Sequence, residues 1–232
     1  MNNQKICFII CSNNEFLANE CLLYIEQLRI PQNFCIETLI VHEATSMTSG
    51  YNEAMHASDA QYKIYLHHDV LLLYKDILID IINLFITHPE IGMIGMVGNT
   101  SLADDGCPWS DGLHRKIGEI LADAINKKVY SNFGKASGEY QPVLVIDGLF
   151  MATQYDIPWR EDIFKGWDFY DCSQSLEFWK AGYQVVVPYM TTPWCFHDND
   201  VMNLDNYEQW RNLFENEYGS FYKDMNNFKI NF

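Results

Sequence analysis

An apolar run ends in two histidines and an aspartate and then turns apolar again: KIYLHHDVLL, residues 63–72. His67, His68 and Asp69 are proton-active and can ligate metals, which marks the lip of this segment for chemistry. A carboxylate directly after an inner strand, joined by a distant imidazole, suits a hard divalent cation that holds a diphosphate. Carboxylate oxygens fit Mg2+ or Mn2+, and one imidazole is acceptable to Mn2+. The distant histidine is His197, in TPWCFHDND at residues 192–200. Along an extended chain alternate side chains share a face, so His67 and Asp69 point one way and His68 the other. The same motif also fits a polar strand end with half-exposed histidines. His197 taken singly fits a structural histidine better.

The cysteines are a weaker lead. Seven are present, with no Cys-x-x-Cys pair. Cys7 and Cys11 lie four apart in an expected strand, on one face but roughly 13 Å from each other. That is too far to share an ion, so buried free thiols are expected. No His-x-His or His-Glu-x-x-His cluster supports a metal hydrolase.

The elements that must position these groups alternate. KICFIIC (5–11) reads as a strand covered on both faces. FLANECLLYIEQL (16–28) puts Leu17, Cys21, Ile25 and Leu28 on one helical stripe, with Pro31 beyond its end. CIETLIVHE (35–43) is a second strand, and SGYNEAMHASD (49–59) a short helix with Ser49 as its cap. QYKIYL (61–66) is a third strand ending at the His-His-Asp motif. KDILIDIINLFITHP (75–89) is a helix, and IGMIGMVG (91–98) a fourth strand. Residues 99–141 break the rhythm with loops and short strands. PVLVIDGLFMAT (142–153) reads as another core strand, and residues 168–183 as a loop leading into a helix. QVVVP (184–188) is a strand, and residues 203–219 form a helix with Gly219 at its end. This order predicts an α/β fold, a mostly parallel sheet flanked by helices. Ligands of such sheets bind beyond the carboxyl ends of the strands, where SNNE, HEATS, His-His-Asp and GNTS fall.

The chain has 232 residues and a 48% hydrophobic content, enough for one well-buried domain. Its net charge of −16 and pI near 4.6 exclude the basic footprint of a nucleic-acid binder and disfavour an anionic membrane surface. The most apolar helix candidate is too short to span a bilayer and carries Asp76 and Asp80. The N-terminus lacks a signal-peptide pattern. A cytoplasmic protein, with peripheral membrane attachment open, is expected.

Taken together, KICFIICSNNEFLANECLLYI, SGYNEAMHASDAQYKIYLHHDVLL, IDGLFMAT, FYDCSQSLEFWKAGYQVVVP and the trailing His197 resemble a family 2-type glycosyltransferase of the GT-A fold. The similarity is to the short branch related to streptomycin-biosynthesis glycosyltransferase-like proteins and covers about residues 5–200. No internal repeat, linker or low-complexity tract divides the chain, so a single domain is expected, with a nucleotide-sugar half at about 1–98, an acceptor and catalytic half at about 99–200, and a C-terminal helix at about 203–219. The resemblance implies metal-assisted transfer from a nucleotide-diphosphate sugar, with UDP first, to an acceptor hydroxyl, with inversion. The acceptor would be a glycan, a lipid-linked sugar or a small molecule in polysaccharide or glycoconjugate biosynthesis.

The family's Asp-x-Asp motif matches His67-His68-Asp69. Its last aspartate binds the metal, so Asp69 carries that role, and His197 completes the site. His67 replaces the first acid, which puts the mode of donor contact and metal dependence in question. The nucleotide-sugar pocket matches Cys11, Asn13, Glu15 and Glu43, with Asn52, His67 and His68. The catalytic base matches Asp171, with Asp168 as fallback. Asp147 and Gly148 lie on the acceptor side, where Gly148 either admits a sugar or makes a strand-end turn. Of Trp109, Trp167 and Trp194, one at most stacks on the acceptor, and Trp109 is the candidate carried forward. A nucleotidyltransferase would place a Gly-rich, basic loop where this chain has SNNEF. The remaining alternative is a catalytically silent nucleotide- or sugar-binding module, favoured by His67.

Overall fold

The run expected as a doubly covered strand is β1 (Asn2–Cys11), and Ile6 to Ile10 have no exposed surface. The computed structural model describes residues 1–110, 115–123, 128–198 and 204–227. α1 (Glu15–Ile25) starts where the Asn14 side chain accepts the N–H groups of Phe16 and Leu17. β2 (Cys35–Val41) pairs with β1 in parallel. α2 (Met47–Ala57) is capped by Ser46, not by Ser49 as expected. Ser49 is the third helical residue and bonds back to Ser46, so the pair forms a reciprocal capping box. β3 (Ala60–His67) is parallel to β1 on its other side.

β4 (Val70–Leu72) follows at once, then α3 (Ile77–Thr87). Ile77, Leu78, Ile81, Ile82 and Phe85 make the buried face of α3. Burying each such side chain contributes about 1.5–3 kcal/mol. The fourth expected strand is two: β5 (Ile91–Gly95) and β6 (Val97–Asn99), which enter different sheets. Gly95 sits where they part. A Cβ there would lie 2.7 Å from Ile146, so glycine lets the later chain cross.

β7 (Lys116–Asp123) and β8 (Lys128–Gly134) pair antiparallel within the irregular segment. The single strand expected at 142–153 is also divided, into the end of β9 (Tyr140–Pro142), β10 (Val145–Ile146) and β11 (Phe150–Thr153). α4 (Tyr170–Lys180), β12 (Gln184–Pro188), β13 (Cys195–His197) and α5 (Tyr207–Asn227) complete the order. α5 runs on through Gly219, because Phe214, Tyr218 and Tyr222 continue one buried stripe across it. They pack with Phe164, Phe169 and Leu176 in a second apolar cluster. Residue 203, the expected helix start, lies outside the described residues.

The seven-stranded sheet has the order β2-β1-β3-β11-β5-β12-β9. It is mostly parallel, as expected, with β11 and β9 running against the rest. A second sheet, β10-β6-β7-β13-β4, stands at the end of the first where β3 finishes. Two of its pairings matter for function. β13 lies antiparallel to β4, which puts His197 opposite Val70, and parallel to β7, which puts His197 beside Ala122. No described helix is long and apolar enough to cross a membrane. All seven cysteines are free thiols, and Cys7 and Cys11 are buried.

Candidate active site

His67 is the last residue of β3, and a turn then hands the chain to β4. Because β13 registers against β4, His197 comes back beside that turn, and the Asp198 N–H donates to the Asp69 carbonyl at 2.9 Å. His197 Nε2 lies 3.5 Å from Asp69 Oδ1, and His67 Nδ1 lies 3.9 Å from the same oxygen. One ligand atom from each of the three residues falls within 4.8 Å of the others. His68, in the turn after β3, stands outside this trio: it lines the first cavity and its Nδ1 is 2.8 Å from the Ser12 hydroxyl.

The electrostatics of this trio suit a cation. Asp69 Oδ1 is buried and has no hydrogen-bond partner, a costly state for a carboxylate oxygen unless something positive faces it. Burial works against ionisation of Asp69, but the approach of His197 and His67 outweighs it and holds the carboxyl below its ordinary pKa. Burial drives His67 down to about 4, so at neutral pH its ring is uncharged and offers a lone pair. Burial also opposes charge on His197, yet the Asp69 carboxylate pulls its pKa up. A carboxylate with two imidazoles is a donor set that fits Mn2+ better than Mg2+.

Two cavities meet at this trio. The first, about 640 Å³, lies beyond the ends of β1, β2 and β3 and is lined by Cys11, Ser12, Asn13, Glu43 and His68. The second, about 510 Å³, is lined by Trp109, Asp147, Gly148, Asp171 and His197. His67, Asp69, Trp167 and Asp168 line both. The group that could hold a metal therefore stands on the boundary between the two spaces.

Asp171 enters the second cavity from the first turn of α4. Its Oδ2 accepts the Gly148 N–H at 2.9 Å and its Oδ1 the Cys172 N–H at 2.7 Å. Burial, then the nearby Asp147 carboxylate, pushes its pKa up to about 7. Burial also raises Asp168 above its ordinary value.

A model of the glycosyltransferase like family matches residues 7–218. The chain belongs to this family. Its fold is that of GT-A glycosyltransferases. The mannosyltransferase PcManGT from Pyrobaculum calidifontis, solved with GDP-Man and Mn2+, is similar at a TM-score of 0.53 and 12% identity, over 84% of this chain and 57% of that one. S. aureus TarS with UDP gives 0.56 and 10%, over 92% and 65%. TarS with UDP-GlcNAc gives 0.57 and 9%, over 86% and 60%. The chain thus spans about three fifths of the length of these structures. A search of curated proteins by sequence finds no match.

Within this glycosyltransferase-like chain, three expectations are corrected. Asn52 does not face the first cavity. It is buried in α2, where its amide donates to the Trp159 carbonyl at 2.9 Å and accepts the Trp159 N–H at 2.8 Å, so it braces a loop. Glu15 is an exposed first-turn residue of α1 and does not line the cavity. Gly148 does not leave room for a sugar over its Cα, because a Cβ there would lie 2.1 Å from the Tyr170 hydroxyl. The glycine accommodates Tyr170 instead.

Trp109 lines the second cavity, and the Lys116 ammonium sits 3.1 Å from the centre of its ring. Burial pulls Lys116 down to about 8. Trp194 is core, stacked on Tyr74. Lys165, Asp205, Asn206 and Trp210 also line the first cavity. Sequence reasoning missed all four, since they lie in loops or on a helix face with no period or motif. His67 also joins the group that could hold a metal, where the resemblance implied donor contact alone.

Proposed function

We propose that this protein transfers a sugar from a nucleoside-diphosphate sugar to an acceptor hydroxyl, with inversion at the anomeric carbon. The observation that carries the reading is the position of the His67, Asp69 and His197 trio between two cavities, with Asp171 on the wall of the second. These three residues would hold a divalent cation, with Mn2+ the first to try because PcManGT was solved with it, and the bound cation would offset the charge growing on the departing diphosphate.

The first cavity takes the nucleotide, with Asn13 and Glu43 at its polar wall and His68 held in place by Ser12. Lys165 adds a positive charge to a lining that otherwise carries several acids. The second cavity takes the acceptor between Trp109 and the Asp147 and Asp171 carboxylates. The acceptor oxygen bonds to the anomeric carbon as the bond to the diphosphate oxygen breaks. Asp171 takes the hydroxyl proton, and the nucleoside diphosphate leaves with the bonding pair. Asp171 acts as base and forms no bond to the sugar, so the transfer is a single displacement with inversion. UDP-sugars are the first donors to try and GDP-sugars the second, because TarS and PcManGT were solved with UDP, UDP-GlcNAc and GDP-Man.

The base works only when ionised. With its pKa near 7, kcat/KM is expected to rise as pH climbs from 6 through 7 and to level above about 8. A pH–rate profile checks this. A profile flat across that range would remove Asp171 as the titrating base. The reading as a whole is tested by a panel of nucleotide sugars with Mn2+ or with EDTA, following nucleoside diphosphate release. One donor is expected to be turned over slowly by water with Mn2+ and not with EDTA. Nucleotide binding without release from any donor would favour the silent module. No binding at all would overturn both.

A further inference from the structure

Tyr170 is the first residue of α4 and only 4% exposed. Its ring is enclosed by Tyr51 and Trp159, with centroids 6.0 and 6.2 Å away. Packing would need no more than a phenyl ring. The hydroxyl, however, reaches past Gly148 and hydrogen-bonds His67 Nε2. The other ring nitrogen, Nδ1, is the one that faces Asp69. The proton on a neutral imidazole sits on one nitrogen, and the bond made by one nitrogen decides what the other can do.

We propose that Tyr170 is a positioning residue for the cation site: its hydroxyl accepts the Nε2 proton of His67 and so reserves Nδ1 as the ligand atom beside Asp69. The proposal rests on the cation reading above. Without a cation either tautomer satisfies the Tyr170 bond. With a cation on Nδ1, only the tautomer protonated at Nε2 remains, and Tyr170 is its acceptor. The ring orientation is held from both ends, by β3 on one side and by the packed tyrosine on the other. Because Asp171 is the next residue, the first turn of α4 carries both the proposed base and the brace of the ligand trio. Nothing in the Asp-x-Asp resemblance points to this, since the family's acid at the His67 position needs no tautomer.

The test is Tyr170→Phe, titrated calorimetrically with MnCl2 alone and melted in EDTA. Loss of such an outer partner typically weakens metal affinity 10–100-fold. The variant is expected to bind Mn2+ at least tenfold more weakly while its cation-free melting temperature stays near that of the parent. In a His67→Ala background the same substitution is expected to change nothing further. A merely structural tyrosine would weaken binding in both backgrounds. Mn2+ affinity equal to the parent's would overturn the proposal and leave the cation reading standing. Failure of the unaltered protein to bind Mn2+ would overturn both. Should the phenylalanine variant not fold, ring nitrogen-15 spectra of the unaltered protein titrated with Cd2+ decide. Cadmium on His67 Nδ1 with Nε2 protonated supports the proposal, and cadmium on Nε2 overturns it.

Discussion

Asp171→Asn is expected to abolish turnover while leaving donor binding in place. Two backbone N–H groups, from Gly148 and Cys172, fix the carboxylate. Its position is therefore set by the main chain and tolerates a change of charge. Asparagine keeps the volume but has no basic site for a proton. General-base assistance contributes about 10²–10⁴-fold, so kcat is expected to fall by that factor with the nucleotide Kd unchanged. The amide turns its N–H2 toward one of the two backbone donors, which costs about 1–3 kcal/mol. Melting temperature is therefore recorded beside the kinetics. Steady-state turnover and calorimetry with UDP and Mn2+ separate the effects. Normal turnover would take Asp171 out of the mechanism and pass the role to Asp168, which lines both cavities.

Asp69→Ala is expected to remove metal-dependent nucleotide binding altogether. Asp69 supplies the carboxylate of the trio, and its Oδ1 is the point on which both imidazoles converge. Two neutral histidines without it offer no negative charge to set against a divalent cation. The cation's stabilisation of the leaving group is worth several kcal/mol, so turnover is expected to drop by two or more decades. Calorimetry with UDP, with and without Mn2+, reads the binding loss directly. Because His197 and His67 hold the Asp69 carboxyl below its ordinary pKa, alanine also removes a charge that the fold favours, and the melting temperature in EDTA is recorded beside the calorimetry. A variant that still bound UDP more tightly with Mn2+ than with EDTA would sink the assignment.

Where one face of an element is buried throughout, the sequence was easy to read. β1, α3 and β12 follow from uninterrupted apolar runs or a clean helical stripe. The short strands were not legible, because two or three residues carry no period. Thus 91–98 and 142–153 each looked continuous, although β6 and β10 leave the central sheet for the second one. The proximity of Asp69 and His197 was expected from resemblance, and the structure brings them to 3.5 Å. The device that does so, a three-residue ladder between β4 and β13, left no mark in the sequence. Asn52 misled because an asparagine at a helix start suits a ligand as well as a loop brace. Tyr170 stayed hidden because an aromatic at the start of an amphipathic helix looks like packing.

That short ladder couples two events usually treated apart. A slip of one residue between β4 and β13 would turn His197 to the opposite face, so the trio exists only when the second sheet has closed in register. Whatever free energy an ion releases on binding there, RT ln(1 + [L]/Kd) by mass action, also fastens the strand that delivers the histidine. On the proposed reading an ion bound there would be a clasp as well as a reagent, and the availability of metal in the surroundings would govern how tightly the two sheets are joined.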